Sequence, residues 1–138
     1  MIAGWPVVEG EAEGEALVTD EALSFWGGYD FQTGEIIDRH HPLAGVRAAG
    51  RILAVPFSKG SSTTTAVLLE AVRAGTAPAA ILTTGADSFF ALASIVAGLM
   101  YGKSFPVVAL VPEDFARLRS GDRLVVERGG TIRHSPQM

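Results

Sequence analysis

No cysteine occurs anywhere in the 138 residues, so the chain forms no disulfide and offers no thiolate to an iron–sulfur cluster. Lysine is scarce, with two lysines against nine arginines, and the basic residues form no run. At a formal net charge of -4, the chain has no footprint for nucleic acid or an anionic membrane surface. The longest charge-free apolar stretch, Phe89 to Met100, falls short of the roughly 20 residues that cross a bilayer and reads as a buried helix. The opening Met1-Ile2-Ala3-Gly4-Trp5-Pro6 lacks the basic and apolar blocks of a secretory leader, which points to a cytoplasmic chain. Internal repeats, low-complexity tracts and interdomain linkers are absent as well.

What is present is a single domain over 1–138, 48% hydrophobic and with sixteen glycines, long enough for one core and rich in turns. Glu13 to Thr19 reads as a strand with Ala16 and Val18 on one face, and Arg51 to Pro56 as a buried strand. Ser62 to Ala74 reads as a helix ended by Gly75, with Ala66, Leu69, Val72 and the Arg73 stem on its inner side. A second strand over Ala79–Thr83, a helix over Ser88–Tyr101 capped by Asp87 or Ser88, and a strand over Pro106–Val111 continue the alternation. Such an order predicts parallel strands with helical crossovers. Pro112 to Leu118 suits a short helix, and Asp122–Glu127 with Thr131–Arg133 a hairpin turned by Gly129-Gly130. The fold class is therefore mixed α/β, a βαβ unit with additional strands from both ends of the chain.

The candidate site is Phe57-Ser58-Lys59-Gly60-Ser61-Ser62-Thr63-Thr64-Thr65, between a strand and a helix start. Backbone N–H groups, the positive end of the helix dipole and several hydroxyls converge there, which suits a carboxylate or phosphate. The same residues also suit simple helix capping. The turn is not a nucleotide-binding P-loop, because Lys59 precedes Gly60 instead of following it.

Between Ser24 and Gly45 no period survives, and a connection of that length in a compact domain is often functional. Asp38, His40 and His41 in it could serve a serine nucleophile, but nothing in the spacing brings them to Ser61, and adjacent histidines on a loop do not match a metal site. They read as a solvated or interface loop. Trp26 and Tyr29 read as anchors of the loop to its own core, and Lys103 and Arg133 as surface charges.

Several separated motifs together resemble the small, swivel-domain subunit of aconitase X. They are Gly14-Glu15-Ala16-Leu17-Val18, the run from Leu23 to Gly28, Asp38-Arg39-His40-His41-Pro42-Leu43-Ala44-Gly45, the turn Ser58 to Thr64, Ala77 to Leu82, and Ala86-Asp87. The resemblance covers most of residues 10 to 111. It implies a swiveling β/β/α domain that closes over a larger catalytic subunit, whose cysteines carry the iron–sulfur cluster. It also implies a hydro-lyase acting on a small hydroxy acid, with cis-3-hydroxy-L-proline the usual bacterial substrate and 5-phosphomevalonate the archaeal one.

Carried over from the wider aconitase superfamily, the serine after the turn's glycine, here Ser61, is the base that takes the carbon-bound proton. Lys59, Gly60, Ser62 and Thr63 then bind substrate. Aconitases follow the two serines with an arginine that grips an extra carboxylate; Thr63 stands there, which argues against a tricarboxylate. The Ser61-Ser62-Thr63-Thr64 form resembles the bacterial branch, so hydroxyproline is the expected substrate and Δ1-pyrroline-2-carboxylate the expected product. Two rival readings stay open: a phosphohistidine-carrying swivel domain, and a structural or regulatory subunit in which Ser61 only caps its helix.

Overall fold

The computed structural model describes residues 1–25, 27–59 and 62–135, with Ser62 known by its backbone alone. Ten strands and three helices follow in the order β1 (Ile2–Ala3), β2 (Trp5–Val8), β3 (Ala12–Val18), β4 (Tyr29–Asp30), β5 (Glu35–Ile36), β6 (Ile52–Ala54), α1 (Ser62–Ala74), β7 (Ala80–Thr83), α2 (Ser88–Tyr101), β8 (Val107–Ala109), α3 (Pro112–Phe115), β9 (Arg123–Val126) and β10 (Thr131–Ser135).

Eight strands form one mixed sheet in the order β1-β10-β9-β3-β6-β7-β8-β2, and β4 pairs with β5 apart from it. The centre is parallel: β3 with β6, β6 with β7, and β7 with β8. Parallel neighbours need crossovers, and α1 and α2 supply two of them. The third, from β3 to β6, is the long irregular segment with the β4–β5 hairpin inside it.

Alternation along the strands sorts side chains between two cores. Ala16, Ile52, Ala54, Ala80, Leu82 and Val108 point to one, shared with Ile2, Phe115, Leu118, Leu124, Val126 and Ile132. Leu17, Leu53, Val55, Ile81 and Val107 point to the other, where Leu68, Ala71, Phe90, Ala93 and the loop residues Leu23, Phe25, Tyr29 and Ile36 cover them. Ala16 and the half-buried Val18 do share a face.

The outer strands β1 and β2 are separated only by Gly4 yet pair with opposite ends of the sheet, so the sheet curls nearly into a barrel. Closure there is tight. The Gly4 N–H donates to Gly130 O at 3.0 Å, and a Cβ on Gly4 would lie 2.4 Å from Val108 Cγ1 and 2.8 Å from Gly130 O. Gly130, at φ +92, turns the β9–β10 hairpin, whose register pairs Ile132 with Val126.

Both long helices have the expected bounds, and Asp87 is the cap of α2. Their faces differ from expectation in two ways. The inner side of α1 is Thr64, Thr65, Leu68, Ala71 and Val72, while Ala66 is exposed, Leu69 half-buried and Arg73 pairs outward with Glu70. Threonine proves compatible with burial because Thr65 Oγ1 donates to Phe89 O of α2 at 3.3 Å. In α2 only Phe90, Ala93, Ser94 and Ala97 are buried; Leu92, Ile95, Leu99 and Met100 lie open, since a single face meets α1 and the sheet.

Because the Gly4 position meets backbone as well as side chains, Gly4→Ala is expected to cost about 1–3 kcal/mol, the usual scale of overpacking. Gly129→Ala, which meets nothing within 4 Å, should stay within about 0.5 kcal/mol. Urea denaturation of the two variants checks the pair, and equal stabilities would contradict the closure described here.

Candidate functional site

Parallel strands bring their carboxyl ends to one edge, and in open α/β sheets ligands bind at that edge. Here the edge collects residues 19–23 after β3, 56–59 after β6 and 84–87 after β7. Ladder bonds extend past the strands and tie these loops together. Thr19 N–H donates to Ala54 O and Val55 N–H to Leu82 O, both at 3.0 Å. Leu23 bridges Ser58 in parallel, and Lys59 N–H donates to Leu23 O at 3.1 Å. From the other side, Thr84 gives both its N–H (3.2 Å) and its hydroxyl (3.1 Å) to Pro56 O.

Asp87 joins the two helix starts. Its Oδ1 accepts from Phe89 N–H (3.0 Å) and Phe90 N–H (3.2 Å), the ordinary work of an N-cap. Its Oδ2 accepts from Ser58 N–H (2.8 Å) and Ser58 Oγ–H (2.9 Å), across 29 residues of sequence. The starts of α1 and α2 thus sit side by side with their positive dipole ends at the same edge.

Of the expected site residues, Gly60 and Ser61 lie outside the described residues, as does Trp26. Ser62 opens α1 and Thr63 is exposed in its first turn. Lys59 is exposed and lines a cavity of about 260 Å³ together with Glu21, Ala22, Asp38, His40 and His41. Spacing alone did not bring the two histidines to the turn; folding of the loop does. The chain reverses through β4 and β5 and returns beside residues 21–23, of which Leu23 is already paired to Ser58 and Lys59.

The two histidines differ. His41 is only 7% exposed, its Nδ1 accepting from Leu43 N–H (3.1 Å) and its Nε2 facing Glu21 O (3.4 Å). Backbone groups meet both ring nitrogens, so the buried His41 braces the loop. His40 is exposed, with its backbone N–H held by Asp38 Oδ1 at 3.0 Å. The loop is fastened to the core by Tyr29, 3% exposed, whose hydroxyl donates to Thr76 O at 2.7 Å. Its ring packs on Phe25 at 5.1 Å, and Phe25 meets Phe90 edge-on at 5.5 Å. Tyr29 is thus an anchor of the loop to its core.

An iron–sulfur cluster does not fit this chain. Cysteine is absent, and among the described residues no three His, Asp or Glu side chains converge on a metal position. No described helix is long and apolar enough to cross a membrane.

Residues 1–134 match the family profile of the aconitase X swivel domain. Over 110 residues, 80% of this chain, the sequence is 49% identical to the cis-3-hydroxy-L-proline dehydratase of Pseudomonas aeruginosa, of which that span is only 19%. Over 130 residues it is 37% identical to the phosphomevalonate dehydratase small subunit of Pyrococcus furiosus, covering 93% of this chain and 91% of that one. The crystal structure of Thermococcus kodakaraensis aconitase X in its holo-form superposes with a TM-score of 0.87 at 31% identity, over 98% of each chain.

Burial pushes the Tyr29 hydroxyl well above its ordinary value of 10.0, with nearby Arg47 opposing in part. The neutral form is then favoured in the fold, so this contribution is complete below pH 10 and is lost as pH rises above it, where the unfolded chain gives up the proton first. Chemical denaturation at stepped pH is expected to show stability falling above pH 10, with a shallower fall in Tyr29→Phe. Parallel curves would contradict the burial-driven shift.

Proposed function

We propose that this chain, which belongs to the aconitase X swivel-domain family, is the small subunit of a dehydratase that removes water across C2 and C3 of cis-3-hydroxy-L-proline. The relatives named above are dehydratases. The chain spans about a fifth of the Pseudomonas enzyme, and the Pyrococcus relative is a small subunit, so a large partner completes the enzyme in this reading. The iron–sulfur cluster belongs to that partner.

The observation that carries the substrate choice is the charge of the cavity beside the turn. Glu21 and Asp38 face it together with Lys59, the one fixed cation among the described residues that line it. A hydroxyproline zwitterion brings one ammonium and one carboxylate, which this mixture complements. Phosphomevalonate brings a carboxylate and a phosphate, and like charges set against each other without water disfavour binding. The 49% identity to a hydroxyproline enzyme supports the same choice. Phosphomevalonate stands as the second reading, favoured by the end-to-end match to the archaeal small subunit.

In the closed enzyme Ser61 takes the C2 proton. Serine is a poor base in water, so its alkoxide needs the N–H groups at the start of α1, the Lys59 ammonium and exclusion of water by the partner. Gly60 lets the backbone approach the substrate closely, while Ser62 and Thr63 hold its carboxylate.

Coexpression with the large aconitase X-type chain of the same genome, assayed without oxygen on both substrates, tests this reading. Hydroxyproline is expected to be consumed, and Ser61→Ala to lower kcat roughly 10²–10⁴-fold with assembly intact. Ser62→Ala should raise KM more than it lowers kcat. Near-normal turnover by Ser61→Ala would leave that residue as a cap alone, and turnover of phosphomevalonate only would overturn the substrate.

A further inference from the structure

We propose that Asp87 is a positioning residue that clamps Ser58 and Lys59, just ahead of the turn, against the start of α2, an inference that rests on the reading of Ser61 as the base. A cap needs only one acceptor, and serine, threonine or asparagine serves as well as aspartate. Oδ1 of Asp87 already does that work for Phe89 and Phe90. The second oxygen adds nothing to α2. It reaches back to Ser58, three residues before Ser61, and takes both the backbone N–H and the hydroxyl.

Asp87 is 9% exposed, and among the described residues no cation pairs with its carboxylate; four N–H and O–H donors hold it instead. Only a carboxylate can do this, since an amide would turn N–H₂ toward one pair of donors and a hydroxyl would not reach. On its opposite side the same stretch is held by the Leu23–Ser58 bridge and the Lys59 N–H to Leu23 O bond. Residues 58 and 59 are thus gripped between the loop after β3 and the start of α2, immediately before Gly60 and Ser61. A reacting group displaced by about 1 Å can lose 10²-fold in rate, so the grip governs turnover without touching substrate.

Two variants of the full chain separate clamp from cap. Asp87→Ser keeps an N-cap and loses the reach to Ser58, whereas Asp87→Asn keeps the size and one acceptor and sets N–H₂ against the Ser58 donors. Amide exchange of the full chain is read first. Backbone amides of 57–59 and 62–64 should exchange at least roughly tenfold faster in both variants, the scale of one lost hydrogen bond to a charged group, with 92–100 unchanged. Unchanged exchange at 57–59, or faster exchange confined to α2, would overturn the clamp.

In the assembled enzyme both variants should lose roughly 100-fold in kcat with KM within about threefold and the partner's iron content unchanged. A wild-type kcat, or a loss carried wholly by KM, would overturn the positioning role. If instead the assembled wild type is active and Ser61→Ala is harmless, the reading of Ser61 falls, and the exchange data still decide whether Asp87 holds the turn.

Discussion

Four parallel strands have to be covered on both faces, and the rest of the molecule follows from how that is done. Leu53, Val55 and Ile81 on one side and Ile52, Ala54 and Leu82 on the other are fully buried, so neither face can meet water. One face is covered by α1, α2 and the long loop. Among the described residues the other face has no long helix; beyond Phe115 of α3 and Leu118, the sheet covers it by curling, with β9, β10 and β1 carried round to meet β2 at Gly4. Parallel strands also leave their carboxyl ends at one edge, and that edge is where Lys59, Asp38, His40, His41 and the start of α1 gather.

The same geometry explains why irregular loop is used where a helix would be ordinary. The β3–β6 crossover packs Phe25, Tyr29 and Ile36 into the helical layer, then delivers Asp38, His40 and His41 to the edge beside Lys59. The open side of α2, with Leu99 82% exposed, is an apolar face that no described element of the chain covers.

Local chemistry announced much of this. The end of α1 could be read from Gly75, the start of α2 from Asp87, and the hairpin from Gly129-Gly130, because caps and turns depend on a few adjacent residues. The inner side of α1 was misjudged because Thr64 and Thr65 look like surface residues until Phe89 O takes a hydroxyl. The loop's histidines looked unconnected to the turn because nothing between them has a period; the link is a bridge from Leu23 to Ser58 that no spacing encodes. Asp87 was recognisable as a cap, yet its second oxygen acts over 29 residues and left no local trace. The family itself was recognisable because its motifs are separated along the chain and keep their order.

The central claim is that the carboxyl-terminal edge of the parallel strands is the working face. Amide hydrogen exchange of this chain, alone and with the large aconitase X-type chain proposed as its partner, measures that directly. Protection is expected at 19–25, 38–43, 57–64 and 84–89, with the β9–β10 hairpin over 123–135 unchanged. Protection confined to the hairpin, or none at the strand ends, would contradict it.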